Sequence, residues 1–150
     1  MKNTFQKQYH DLNRLYHRQE KDYHEKILAT GLSDATFWVL TAIYEKDQIT
    51  TQKELCDEWS YTKQTMNSAV STLMQKGYIL LEKAEGAKNS KSIFLTELGK
   101  TFCETRVEPI LKADRKAFDV LTKEERTQFL QLMQKYILAF ENQGAFPGEI

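Results

Sequence analysis

Only two prolines and six glycines occur in 150 residues, so few positions force a helix to stop. With Leu, Lys, Glu and Gln plentiful, the chain reads as mostly helical. Cysteine is nearly absent: Cys56 and Cys103 stand far apart and form no CxxC pair. They read as buried thiols in a reducing compartment, with a redox-sensing thiol as the alternative. No apolar run approaches the roughly 18 residues a membrane span needs, and the polar start MKNTFQKQYHDLN is no signal peptide. The expectation is a cytoplasmic chain with no membrane partner. Also missing are a His beside a Ser or Cys nucleophile motif, a glycine-rich phosphate cradle and a metal-ligand cluster, which argues against an enzyme. No cofactor is expected.

Net charge is also lacking, at 21 basic against 21 acidic residues, so global charge announces no nucleic-acid binder. The distribution says more. Between Ser60 and Lys100, Lys63, Lys76, Lys83, Lys88, Lys91 and Lys100 face only Glu82, Glu85 and Glu97. That local positive excess turns one region toward an anionic partner.

Residues 3 to about 28 read as a long first helix, with Phe5, Tyr9, Leu12, Tyr16, Gln19 and Tyr23 at coiled-coil-like spacing and Gly31 as its stop. Ser33 caps a second helix, and Leu32 with Phe37 sits at staple spacing. That helix is apolar almost all round through Tyr44, which places it at the domain centre. A short extended piece at 48–50 precedes the capping box Thr51-Gln-Lys-Glu54, which opens a third helix to about Trp59. Ser60 and Tyr61 make the turn, Thr62 caps a fourth helix to Lys76, and Gly77 ends it. Two strand-like segments, 78–83 and 92–96, flank the polar tip EGAKNSK and read as a hairpin. A fifth helix runs from Thr96 toward Val120, where Pro109 should kink or interrupt it. Thr122-Lys-Glu-Glu125 opens the last helix, and the tail from 143 to 150 reads as loose. The fold class expected is mainly α with a small β-hairpin wing, in one domain over residues 1–150.

The fourth helix carries the functional signal. Met66, Ala69, Val70, Leu73 and Met74 form one apolar face, and the opposite face shows Gln64, Ser68, Ser71 and Gln75, with Thr65, Asn67 and Thr72 on its shoulders. A merely solvated face in so charged a chain would be written with Glu and Lys. Yet no acid occurs between Tyr61 and Ile79. Short uncharged donors and acceptors with one lysine suit base edges and phosphates in a major groove. Helix, tight turn, helix and basic hairpin together read as a winged helix-turn-helix over 33–96. The competing reading of the same face is a winged-helix module that docks a protein.

TQKELCDEWSYTKQTMNSAVSTLMQKGYILLEK followed by SIFLTELGK resembles the multiple-antibiotic-resistance regulator (MarR) family of bacterial and archaeal transcription factors. LSDATFWVLTAIYE before it and FDVLTKEERTQFLQLMQKYI after it extend the likeness over nearly the whole chain. The resemblance implies a DNA-binding regulator, a ligand-released repressor, working as a homodimer on palindromic double-stranded DNA. Residues 1–30 and 97–142 would be dimerisation helices. The apolar stripes at both chain ends agree, because a small winged helix cannot bury them alone. Two recognition helices about 34 Å apart would then match half-sites one turn apart. By the same resemblance Thr62, Lys63, Gln64, Thr65, Asn67, Ser68 and Thr72 fall where members touch DNA. Gln64, Asn67 and Ser68 are the expected base readers, while Lys63 and Thr72 are expected to hold phosphates. The wing departs from the pattern: members usually carry an Asp and an Arg near the tip, where this chain has Ala87 and Asn89 with Lys88 and Lys91 beside them. Lysine binds phosphate but wedges poorly into a narrow minor groove, which implies that specificity rests more on the helix.

Tyr-His recurs at 9–10, 16–17 and 23–24. Seven residues along a helix separate side chains by about 10.5 Å, too far for one zinc with ligands at about 2 Å. The tyrosines therefore read as seam and the histidines as its flanks, with a metal-sensing regulator left as an alternative. Tyr16, His17, Trp38 and Tyr44 are candidates for lining an effector pocket. Their aromatic character points to a small aromatic or phenolic effector.

Overall fold

Ser33, Thr51, Thr62, Thr96 and Thr122 begin five helices by the same chemistry. Each hydroxyl accepts a hydrogen bond from the backbone N–H three residues on, satisfying one of the orphan donors of the first turn. At Thr51 and Thr122 the carboxylates of Glu54 and Glu125 return to the cap residue's own N–H, closing two capping boxes. These local devices fix where the elements start. The computed structural model describes residues 3–46, 49–83 and 91–144, and they divide into two compact units, Met1–Ile110 and Leu111–Ile150.

In the first unit α1 (Thr4–Leu28) is followed by α2 (Asp34–Tyr44), β1 (Thr50–Thr51), α3 (Gln52–Trp59) and α4 (Lys63–Gln75). Then come β2 (Ile79–Lys83), β3 (Lys91–Leu95) and α5 (Glu97–Phe102). The strands form one antiparallel sheet in the order β1-β3-β2. The end of the extended piece expected at 48–50 joins the wing, because Thr50 lies opposite Ile93 and adds a third strand. Residues 84–90, which hold all of the expected tip but Lys91, and 145–150 at the end of the expected tail, lie outside the described residues.

The apolar helix α2 sits in the core, with Phe37, Val39 and Leu40 wholly buried beside Leu55 of α3, Met66 and Leu73 of α4, and Ile27 of α1. Leu32 and Phe37 are both buried, as the staple requires. Gly31 and Gly77 take the left-handed backbone at φ 81° and 76°, ending α1 and α4. The turn between α3 and α4 depends on Ser60, which holds φ 55° without being glycine, a conformation uncommon for such a residue.

The fifth helix does not break at Pro109. α5 passes into one π-helical turn, Cys103–Val107, and α6 (Glu108–Asp119) follows directly. Glu108 N–H reaches back to Cys103 O, five residues away. Proline has no N–H to give and its ring crowds the preceding turn. Widening the helix by one residue just ahead of Pro109 relieves both, leaving the proline in the first turn of α6, where its missing donor costs little. The Thr105 hydroxyl donates to Thr101 O at 2.7 Å inside the widened turn.

α6 carries the chain into the second unit, where Leu121 begins the turn to α7 (Lys123–Glu141). Arg126 ties that turn by donating to Leu121 O and pairing with Asp119. Phe118 and Phe129 approach at 6.5 Å. No residue of α7 is buried, and no helix among the described residues is long and apolar enough to cross a membrane.

Candidate nucleic-acid interface

α4 owes its orientation to its apolar side. Met66, Ala69, Val70 and Leu73 are buried, which leaves Lys63, Gln64, Asn67, Ser68, Ser71 and Gln75 exposed, and with them Met74, which the sequence pattern places on the apolar face. The outward face is therefore a strip of amides and hydroxyls with one cation at its start. Thr62 is exposed as the cap, while Thr65 and Thr72 are half-buried. Their hydroxyls already have protein partners: Thr62 Oγ1 donates to Thr65 Oγ1 at 2.9 Å, and Thr72 Oγ1 donates to Ser68 O at 3.0 Å. Thr62 and Thr72 have thereby spent their protons, while Thr65 accepts in its bond. Of the residues marked on this helix, Lys63, Gln64, Asn67 and Ser68 are the ones presented openly.

The acids of α3 lie close in sequence and would repel a polyanion if unpaired. They are paired. Asp57 accepts from Lys53 at 2.9 Å, Glu58 is bonded by Lys46, and Glu54 closes the capping box. The N–H of Thr51 holds the Glu54 carboxyl below its ordinary pKa, and Asp57 raises the Lys53 ammonium above its own. Burial raises the pKa of Tyr61 in the turn above its ordinary value.

The wing adds a cation not singled out from the sequence. Lys83 of β2 lies directly opposite Lys91 of β3, both exposed. Like charges facing each other across a strand pair destabilise it; a phosphate between them would relieve the repulsion. The register cannot be inferred without the hairpin length, so in the sequence Lys83 resembles any solvated lysine. Ala87, Lys88 and Asn89 lie outside the described residues. A second residue missed from sequence is Gln52, whose Nε2 donates to Asn67 Oδ1 at 2.9 Å.

The wing is locked to α5 through Thr96. Its N–H donates to Tyr78 O at 3.0 Å and its hydroxyl to Gly77 O at 2.6 Å, while Gly99 N–H donates to that hydroxyl at 3.0 Å. Tyr78 stacks on Phe102 at 4.4 Å. The end of the exposed helix is thus held by the Thr96 hydroxyl and the Thr96 N–H together.

The effector candidates differ in exposure and in their described partners. Trp38 is half-buried and meets Tyr23 edge-on at 5.3 Å and Phe37 at 5.2 Å. Tyr16 and Tyr44 are half-buried, and His17 is exposed beside Glu20 at 3.3 Å. His24, last of the Tyr-His repeat, pairs with Asp34 at 3.0 Å and so joins α1 to the start of α2. Among the described residues no three His, Cys, Asp or Glu side chains gather to hold a metal. Cys103 is wholly buried, and burial pushes its thiol up to about 12; Cys56 is partly exposed.

None of the curated proteins matches the chain significantly. Solved structures do. A MarR family regulator from Neisseria meningitidis is 22% identical with a TM-score of 0.72, over 89% of this chain and 94% of that one. MepR of S. aureus in a DNA-binding conformation is 19% identical with a TM-score of 0.74, over 88% and 98%. The S. aureus MepR–DNA complex is 17% identical with a TM-score of 0.71, over 87% and 96%. These likenesses establish a shared fold. Residues 30–88, which span α2, α3, α4 and β2, match the sequence pattern of the MarR family, and the fold around them is that of a winged helix-turn-helix.

Proposed function

We propose that the chain is a DNA-binding transcriptional regulator that grips a palindromic operator as a homodimer. One observation carries the reading: the outward face of α4 exposes Gln64, Asn67, Ser68, Ser71 and Gln75 with Lys63 and not one acid. Those groups can read base edges, and the paired acids of α3 remove the nearest source of repulsion. Lys83 and Lys91 serve the phosphates. The dimer is supported by the apolar side chains that α1 and α7 leave in water, among them Phe5, Tyr9, Leu132 and Phe140. A relative of the same fold has a structure in complex with DNA.

The regulator is read as a repressor released by a small aromatic or phenolic ligand, on the strength of the half-buried Trp38–Tyr23 contact. Release requires the ligand to favour a spacing of the two α4 helices that misfits the operator.

Gel-shift titrations at several salt concentrations test the DNA reading. Gln64→Ala is expected to erase preference for a selected site over random duplex. Lys91→Ala is expected to weaken binding to every sequence and lower the salt slope by about one. Equal effects of both variants on specific and random duplex would refute the division of roles.

A further inference from the structure

Gln52 opens α3, yet its side chain is half-buried against α4 rather than loose in solvent. Its Nε2–H spans fifteen residues of sequence to reach Asn67 Oδ1 at 2.9 Å. The pair lines an open groove of about 590 Å³ beside α4, together with Val70, Ser71, Met74 and Gln75. An amide–amide bond at such a surface adds little stability, since water would serve either partner nearly as well. Its effect is on direction.

An asparagine amide is two-ended. Left free, it can accept with Oδ1 and donate with Nδ2, the pattern that matches adenine. We propose that Gln52 is a specificity-determining residue for DNA: by holding Asn67 Oδ1 it turns the Asn67 amide N–H pair outward and selects a base whose groove edge is all acceptor, guanine foremost. This rests on the DNA reading of α4 given above. Gln52 acts through Asn67 and is a positioning residue.

The unaltered chain, Gln52→Ala, Gln52→Glu, Asn67→Ala and the double variant Gln52→Ala/Asn67→Ala are compared by selecting bound sites from random duplexes. Competition titrations then measure the ratio of affinities for the four bases at each position. Glutamate keeps the length of Gln52 but can only accept. It must take an N–H from Asn67, which turns Oδ1 toward the bases. At the Asn67-dependent position Gln52→Glu should therefore shift preference from guanine toward cytosine or adenine by about tenfold, beyond any uniform loss from the added charge. Gln52→Ala should relax the preference there, and the double variant should relax it no further than Asn67→Ala alone. A merely structural role for Gln52 would weaken all sites alike and leave the ratios untouched; that result would overturn the proposal while the DNA reading stands. Failure of the unaltered chain to bind any duplex in a salt-sensitive way would overturn both.

Discussion

Gly99 shows how one missing methyl positions the interface. An ideal Cβ at this residue would sit 2.0 Å from Tyr78 O and 2.8 Å from its carbonyl carbon. Those are backbone atoms, and the oxygen is already bonded by Thr96 N–H, so neither can step aside cheaply. Glycine-to-alanine within a helix ordinarily gains about 1 kcal/mol of propensity. Here the collision outweighs it, because overpacking against fixed atoms costs about 1–3 kcal/mol or more. Gly99→Ala should lower unfolding stability by about 1–2 kcal/mol net, read by urea denaturation, whereas a rise would show that Tyr78 can move. Cys103 offers a second residue-scale expectation. A thiol at about 12, wholly buried, carries almost no thiolate at neutral pH and should resist alkylation in the folded protein, while partly exposed Cys56 reacts first. Mass spectrometry of briefly alkylated protein reads the order; equal labelling would show that the core around Cys103 opens readily.

Helix α3 is the element whose stability should follow pH. The Glu54 carboxylate accepts from Thr51 N–H at 2.8 Å, which holds its pKa below the ordinary 4.5. Because the folded-state value is depressed, the contribution is complete above the unfolded value and is lost as pH falls through the folded one. The chain should therefore lose stability below about pH 4.5 faster than Glu54→Gln does, a difference visible in melting temperatures taken along a pH series; parallel curves would remove Glu54 from the capping box. Such caps are legible in the sequence because they are local: Thr51 with Glu54, Thr122 with Glu125 and Gly77 at φ 76° need only their neighbours. The π turn is not legible. Pro109 announces that the ladder must yield, but packing decides whether the helix breaks or widens. Nor is the Gln52–Asn67 bond, which depends on where α3 crosses α4, or the facing of Lys83 and Lys91, which depends on hairpin register. The exposed face of α4 is readable because burial of Met66, Ala69, Val70 and Leu73 leaves it one way to turn.

At the scale of the whole molecule the proposed homodimer makes its own prediction. α7 leaves Phe129, Leu132, Tyr136 and Phe140 exposed at spacings of three and four, Leu132 by 62% and Phe140 by 74%, a stripe that water disfavours. In a two-fold dimer every such residue is buried twice. At roughly 1.5–3 kcal/mol for a fully buried leucine, replacing Leu132 by lysine should cost the dimer about 3–6 kcal/mol. That is about two to four powers of ten in its dissociation constant. The helix itself should survive, because Leu132 has no buried place to lose and lysine is a good helix former. Loss of the dimer also separates the two α4 helices, so binding to a two-half-site duplex should fall by a further factor of about 10²–10⁴ as the second contact ceases to be intramolecular. Affinity for an isolated half-site should change little. Sedimentation equilibrium, circular dichroism and titrations with full and half sites measure these terms separately. A Leu132→Lys chain that still sediments as a dimer would move the interface away from α7. One that becomes a monomer yet keeps full affinity for the two-half-site duplex would mean that a single copy does the work.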